Sequence, residues 1–405
     1  MPGDSLRIAL FTHDTFGLGH VRRSLRFLRR LSEEAPHAAL LLVSGSPALG
    51  LLEDLPPRTD VVKIPTMART GSSGNRPAHL PLPLADLTGI RERVIRETML
   101  AFSPDVLLVD NFPLGSRGEL KSTLEALRGS ATKTVLGLRD ILDAPEIVRR
   151  DWMRQGTYDV LDHLYDAILV YGMQELFDVA EAYALPPPTA EKLVYCGYVT
   201  DAPAPPRGEN GSDGFLLATG GGGGDALPLL TAFLDALPLL PSPTPAILLT
   251  GPLMGAADRA ALESRASHIP GVTLRTFEPN FAPLLSSAQV VVSMCGYNTT
   301  AEILAHRARA VVVPRTWRYG EHEKGEAGGR EWEQLLRARC LAKMGLIDLI
   351  EPEALTPERL AERIALRAAA PQPGPHAVSL DGVNRVAREI LNLASSNGQE
   401  GRTIA

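Results

Sequence analysis

Short apolar runs and helical stretches alternate along this chain, stop at one Pro- and Gly-rich segment, and then resume the same alternation. Strand-like runs fall at Arg7–His13, Ala38–Gly45, Val61–Met67, Val106–Asn111, Thr134–Asp140, Ala167–Gly172 and Leu193–Val199. Strands spaced by helices in this way build a parallel sheet with helices on both faces. The interruption, Asp201-Ala-Pro-Ala-Pro-Pro-Arg-Gly-Glu-Asn-Gly-Ser-Asp213, cannot hold a helix and predicts a linker. Beyond it come Phe215–Gly220, Ala246–Thr250, Val272–Phe277, Val290–Ser293 and Ala310–Pro314, each followed by a helical segment. The expected fold is α/β, with two doubly wound domains at residues 1–200 and 214–375, a linker at 201–213, and a terminal helix and flexible tail at 376–405. Helices are predicted near Thr356–Ala370 and Asp381–Ala394, with Ser395 to Ala405 frayed.

A length of 405 residues suits two domains, and 44% apolar with 22% charged residues describes an ordinary globular protein. The net charge of −6 gives no reason to expect bulk attraction to nucleic acid or anionic membranes, although local patches stay open. Met-Pro-Gly-Asp leads straight into the first strand-like run, so neither a signal peptide nor a membrane span is expected, and the cytoplasm is the default location. Cys196, Cys295 and Cys340 lie far apart without metal-ligand spacing and are expected as buried packing residues. On the first helix, Val21, Leu25, Leu28 and Leu31 make an apolar stripe, while Arg22, Arg23, Arg26, Arg29 and Arg30 are expected mainly as a solvated face. Contact of those arginines with acidic lipid or RNA is the sharper alternative.

In open parallel sheets ligands bind beyond the carboxyl ends of the strands. The most informative exit is Val290-Val-Val-Ser-Met-Cys-Gly-Tyr-Asn-Thr-Thr-Ala-Glu302, where an apolar run breaks at Gly296 and turns into a helix carrying an acid. That order presents unpaired N–H groups and a positive dipole end to a phosphate, with Glu302 placed to meet a sugar or ribose hydroxyl. The first strand exits into His13-Asp-Thr-Phe-Gly-Leu-Gly-His20, where Gly17 and Gly19 permit close backbone approach and His20 can donate to a phosphate or take a proton from a hydroxyl. A plain capping role for that histidine is the bland alternative. Thr219-Gly-Gly-Gly-Gly-Gly-Asp225 is costly to order, and close approach to a ligand is the simplest reason for it. It is neither a Walker loop nor a full dinucleotide fingerprint. Asp110, Asn111, Arg139, Asp140, Asp143, Tyr171 and Gly172 stand at further exits, each equally explicable as a turn residue. The absence of an Asp-x-Asp pair leaves helix dipoles and basic side chains to hold a diphosphate, with no metal and no cofactor expected. The polar, Gly-rich stretch Arg315–Arg330 is too long for a routine connection and is a candidate functional loop.

With these motifs in place the chain resembles the GT-B glycosyltransferases, most of all the MurG family of peptidoglycan N-acetylglucosaminyltransferases and their bacterial relatives. The resemblance spans most of the chain and implies a GT-B architecture, two Rossmann-like domains facing a central cleft, the first on the acceptor side and the second on the donor side. It likens Gly17-Leu-Gly-His20 to the family's first glycine loop, Gly220, Gly221, Gly222, Gly223 and Gly224 to its second, and Gly296, Tyr297, Asn298, Thr299 and Glu302 to its donor helix. Glu302 would then hold ribose hydroxyls, the backbone near Phe277 and Glu278 would face the base, and Glu333-Gln334 would read the donor sugar. Departures are Gly222 where the family has serine and Glu333 where it has glutamine, so the sugar need not be N-acetylglucosamine.

The resulting expectation is an inverting, metal-independent transferase that moves a hexose or N-acetylhexosamine from a nucleotide-diphosphate sugar, UDP-linked by preference, to an unidentified acceptor hydroxyl. His20 is the expected base. Asp14, Gly17, Gly19, Asp110, Asn111, Arg139 and Asp140 are the acceptor-side candidates, with Asp14, Asp110 and Asp140 next in line as base. A nucleotide-sugar hydrolase or 2-epimerase of the same fold is the alternative, and a non-catalytic nucleotide-sugar-binding protein follows. Nucleic acid is not an expected partner, and peripheral membrane contact stays open.

Overall fold

The computed structural model of the chain describes residues 6–12, 19–47, 49, 55–70, 74–201, 214–316 and 331–400. The chain divides into two compact units, residues 1–199 with 381–405 and residues 200–380. In the first unit the strands are β1 (Arg7–Thr12), β2 (Ala39–Ser44), β3 (Thr59–Lys63), β4 (Met67–Thr70), β5 (Gly74–Pro77), β6 (Val106–Asp110), β7 (Lys133–Arg139), β8 (Ala167–Tyr171) and β9 (Leu193–Tyr195). Among the described residues, β3-β2-β1-β6-β7-β8-β9 form one parallel sheet, and β4 and β5 pair antiparallel beside it in sequence. Runs such as Val106-Leu-Leu-Val-Asp110 are buried at every position, as a sheet covered on both faces requires. The predicted strand Val61–Met67 is split. Pro65 has no N–H to donate to a ladder, so β3 ends at Lys63 and the chain leaves to form the small hairpin.

The helix Gly19–Glu34 buries Val21, Leu25, Leu28 and Leu31 as its stripe predicts, together with Phe27. It packs against the terminal helix Gly382–Glu400, which belongs to this first unit. Gly382 is required where that helix starts, because its N–H donates to the Tyr198 carbonyl at 3.1 Å and a Cβ would lie 2.6 Å from the same oxygen. The predicted fraying is corrected over Ser395–Glu400, and residues 401–405 lie outside the described residues. Val386, Ala387 and Ile390 anchor the helix, and Ser395 and Ser396 continue it to Glu400 with hydroxyl bonds to Leu391 and Leu393 carbonyls.

The second unit holds β10 (Phe215–Thr219), β11 (Ala246–Leu249), β12 (Val272–Arg275), β13 (Ala288–Ser293), β14 (Ala310–Val312) and β15 (Asp348–Leu349). They form one parallel sheet, β12-β11-β10-β13-β14-β15, over a core that includes Leu216, Ala218, Leu230, Phe233, Leu248 and Val292. The short strand β15 pairs through Asp348 and Leu349 within the apolar run Leu346-Ile-Asp-Leu-Ile350, which is absent from the expected strands. Among the described residues no helix is long and apolar enough to cross a membrane.

Candidate functional site

Each sheet reverses its strand order once, and there the loops leave in opposite directions and open a crevice at the strand ends. In the first unit this point lies between β1 and β6, where Thr12 pairs with Asp110. In the second it lies between β10 and β13, where Thr219 pairs with Ser293. The glycine run follows β10, and Gly296 follows β13, so the fold brings two motifs 76 residues apart to one crevice. The first unit does the same for the His20 helix and Asp110.

His20, at the start of its helix, places Nδ1 2.6 Å from Asp110 Oδ2. That separation requires a shared proton, so Nδ1 carries it and the neutral ring has its lone pair on Nε2. Arg23, one turn on, grips the same carboxylate, with Nη2 2.9 Å from each oxygen and Nε 3.1 Å from Oδ1. Its guanidinium stacks 5.1 Å above the Tyr171 ring and is 1% exposed. Burial pushes the Asp110 carboxyl up, but Arg23 and His20 outweigh it and hold the group well below the usual carboxylate range. Burial pulls the His20 imidazole down, Asp110 pulls it back up, and Arg23 and Arg139 lower it further, for a net decrease. The expected solvated arginine face is therefore corrected at Arg23, and of the remaining four only Arg29 is fully exposed.

Asn111 and Arg139 form a second pair at this edge. Asn111 has a left-handed backbone, φ 69°, and its Oδ1 accepts from Arg139 Nε at 3.2 Å. Asp140 accepts from the Tyr198 hydroxyl at 2.7 Å and packs so closely on Gly172 that a Cβ there would lie 2.6 Å from its own Cβ. Asp140 thus serves a buried hydrogen bond, with Asp143 buried nearby in sequence. Gly19 is the first residue of the helix, whereas Asp14 and Gly17 lie outside the described residues.

In the second unit Gly220, Gly223 and Gly251 are fixed by the fold itself. A Cβ on Gly220 would come within 2.4 Å of Ala226 Cβ, and one on Gly223, at φ 95°, within 2.3 Å of the Thr250 carbonyl oxygen. A Cβ on Gly251, at φ 89°, would lie 2.6 Å from the Gly221 and Gly222 carbonyl oxygens. Leu253 donates to Gly222 O, and Gly251 donates to Thr276 O, so the segment leading to Phe277 and Glu278 is tied to the glycine loop through one intermediate turn. Gly221 and Gly222 are exposed. Phe277 is 37% exposed, and Glu278 bonds Arg275 at 2.9 Å and the Asn280 N–H. Gly224 leads to Asp225, which pairs with Arg315.

Gly296 differs. It caps the helix Tyr297–Ala305 with ordinary backbone angles, φ −63° and ψ 143°. The nearest atom to a Cβ there would be Gln334 Nε2, 4.0 Å away. Among the described residues neither conformation nor packing demands a glycine there. Gln334 is oriented by the Arg315 N–H, which donates to its Oε1 at 3.1 Å and leaves the NH₂ end toward Gly296. Ser293 Oγ, Thr316 Oγ1 and Asn298 Oδ1 are buried around this helix start and find no partner among the described residues. Buried polar groups of that kind take an ordered water or a ligand as partner. Thr299 and Glu302 on the same helix are half-buried.

Arg337 carries the turn from behind. At 1% exposure it donates to the Cys295 carbonyl at 3.0 Å and to Glu333 Oε1 at 2.9 Å, and stands 5.6 Å from the Tyr297 ring. Cys295 has a left-handed φ of 69°, which that bond helps to hold, and accepts a weak bond from the Thr300 hydroxyl at 3.5 Å. Sequence reasoning missed Arg337, and only its place four residues after Glu333 on one helix face gave any signal. Cys196 and Cys295 are buried as expected, while Cys340 is only half-buried. Of the predicted loop Arg315–Arg330, Arg315 and Thr316 are described and the rest lies outside the described residues, as do residues 202–213 of the linker.

No protein-family model matches the sequence, and no curated protein does. Solved structures do match over nearly the whole chain. MurG of Acinetobacter baumannii is 16% identical with a TM-score of 0.58, covering 96% of this chain and 99% of its own. A UDP-glucose:anthocyanidin 3-O-glucosyltransferase in complex with UDP is 14% identical with a TM-score of 0.59, covering 98% and 95%. A Listeria monocytogenes protein assigned as a UDP-N-acetylglucosamine 2-epimerase is 15% identical with a TM-score of 0.58, covering 98% of each chain. The chain has the GT-B fold of these proteins, with two Rossmann-like domains.

Proposed function

We propose that this protein is an inverting, metal-independent glycosyltransferase that moves a hexose or N-acetylhexosamine from a UDP-sugar to an acceptor hydroxyl. The observation that supports the reading best is Gly296, a glycine that no described residue requires, at the helix start where a diphosphate would bind. The N–H groups of that helix start, the Gln334 amide and the exposed Gly221–Gly222 backbone are the groups that would stabilise the leaving diphosphate, with Glu302 on the ribose. In the first unit Asp110 orients His20, and Nε2 takes the acceptor proton as the acceptor oxygen bonds to the anomeric carbon. The bond from that carbon to the diphosphate breaks on the opposite side, and its electron pair leaves on UDP. Gly19, Asn111 and Arg139 stand at the same strand ends as the residues proposed to face the acceptor. The GT-B neighbours, one of them holding UDP, support the nucleotide-sugar class.

The test is turnover of UDP-sugars by wild type and His20→Ala. The variant is expected to lose roughly a hundredfold or more in kcat, as removal of a positioned base does, while its Kd for UDP stays within about twofold of wild type. Wild-type turnover at saturating acceptor would move the base elsewhere. The match to a 2-epimerase supports a second reading of the same donor site. UDP released without any acceptor would select hydrolysis, and interconversion of two UDP-sugars would select epimerisation.

A further inference from the structure

Nδ1 of His20 has two close neighbours that make incompatible demands on it. Asp110 Oδ2, at 2.6 Å, needs a proton on Nδ1, whereas Arg23 Nη2, at 2.9 Å, could donate only to a bare Nδ1. A bare Nδ1 would set two lone pairs 2.6 Å apart, so the proton stays on Nδ1. Arg23 Nη2 then spends its N–H groups on Asp110, whose two oxygens it reaches at 2.9 Å. What remains between Arg23 and the ring is the approach of a positive charge that shares the ring's own carboxylate. Among the described residues the other charged groups acting on the ring are Asp110 from β6 and Arg139 from β7, and Tyr171 from β8 holds Arg23 in place by stacking.

We propose that Arg23 is a positioning residue that tunes His20, sharing the Asp110 carboxylate so that the imidazole is held in the Nδ1–H tautomer yet stays neutral until an acceptor proton arrives. The proposal rests on the reading of His20 as the base. An undivided carboxylate would make the ring more basic and leave more of it already protonated, hence inactive, near neutral pH. A carboxylate divided with a buried guanidinium still orients the ring, and still offsets the imidazolium charge once the proton has transferred. The lowered His20 basicity agrees with this arrangement. A plain structural brace would hold Asp110 equally well but would not move the titration of the ring.

The experiment is NMR of the protein with ¹⁵N-labelled histidine rings, the His20 signal being assigned by its loss in His20→Ala. Wild type is expected to show a neutral ring at pH 7 with the proton on Nδ1 and a midpoint below the ordinary ~6.5. Arg23→Gln, which removes the charge, is expected to raise that midpoint by about half a unit or more, and the acid limb of kcat/KM should move to higher pH with it. Arg23→Lys, which keeps a charge, should stay nearer wild type. An unchanged or lowered midpoint in Arg23→Gln would overturn the proposal, as would an Nε2–H tautomer in wild type, a result available even if the glutamine variant does not fold. The ring titration needs no substrate, so it judges Arg23 separately from the transferase reading, which the His20→Ala kinetics judge.

Discussion

At Gly223 the backbone φ is 95° and an added Cβ would strike the Thr250 carbonyl oxygen, whereas at Gly296 the φ is −63° and the nearest described atom to a Cβ would be Gln334 Nε2 at 4.0 Å. Alanine at the two positions should therefore separate fold from function. Gly223→Ala is expected to cost about 1–3 kcal/mol of stability, the range for a residue forced into a disfavoured backbone region. Gly296→Ala is expected to leave the melting temperature of the free protein in place and to weaken UDP binding about tenfold, or ~1.4 kcal/mol, measured by titration calorimetry. An alanine at Gly296 that destabilises the free protein and binds UDP normally would mean that this glycine serves the fold after all. The glycines were legible in the sequence as a group, but which of them the fold consumes was not, because that depends on the Gly251 turn packed against them. Arg23 was equally hidden. Its sequence neighbours are arginines on an amphipathic helix, and the carboxylate that draws it inward lies 87 residues away.

Arg337 shows how one element sets the geometry of another. From the helix Glu333–Lys343 it fastens the carbonyl of Cys295, the residue whose left-handed turn aims the helix Tyr297–Ala305. Arg337→Met should take from the Glu333 carboxylate its hydrogen-bonded cation, with Arg315 still acting on it, at a cost of about 1.5–3 kcal/mol, and should weaken UDP binding as the turn relaxes. Denaturant unfolding and calorimetry read the two effects. Full stability in the variant would show that Glu333 finds compensation elsewhere. Elements with strong apolar runs, β1, β6, β8 and β10 among them, were recognisable because burial on both faces leaves a continuous signal. The β4–β5 hairpin was not. Met-Ala-Arg-Thr and Gly-Asn-Arg-Pro alternate too weakly to mark a half-buried strand, and Asn75 is held from outside the hairpin by the Ser116 hydroxyl, 2.9 Å away.

For the whole molecule, the restart of the alternation after residue 213 announced the second sheet, and the strand order then placed both glycine motifs at its reversal point. The return of the terminal helix to the first unit had no sequence signal, since its apolar face would suit either sheet. The central claim is that the second unit carries a donor site for a nucleotide diphosphate built from backbone N–H groups, the Gln334 amide and Glu302. A ligand that binds the native state raises the melting temperature by an amount that grows with the logarithm of its concentration over Kd, so thermal denaturation in the presence of UDP, with and without a chelator, tests it most directly. UDP is expected to stabilise wild type equally in both conditions, and Glu302→Ala to lose ~1.5–3 kcal/mol of binding, the range for a hydrogen bond to a charged group. No stabilisation by UDP or any other nucleoside diphosphate, or stabilisation that the chelator abolishes, would contradict it.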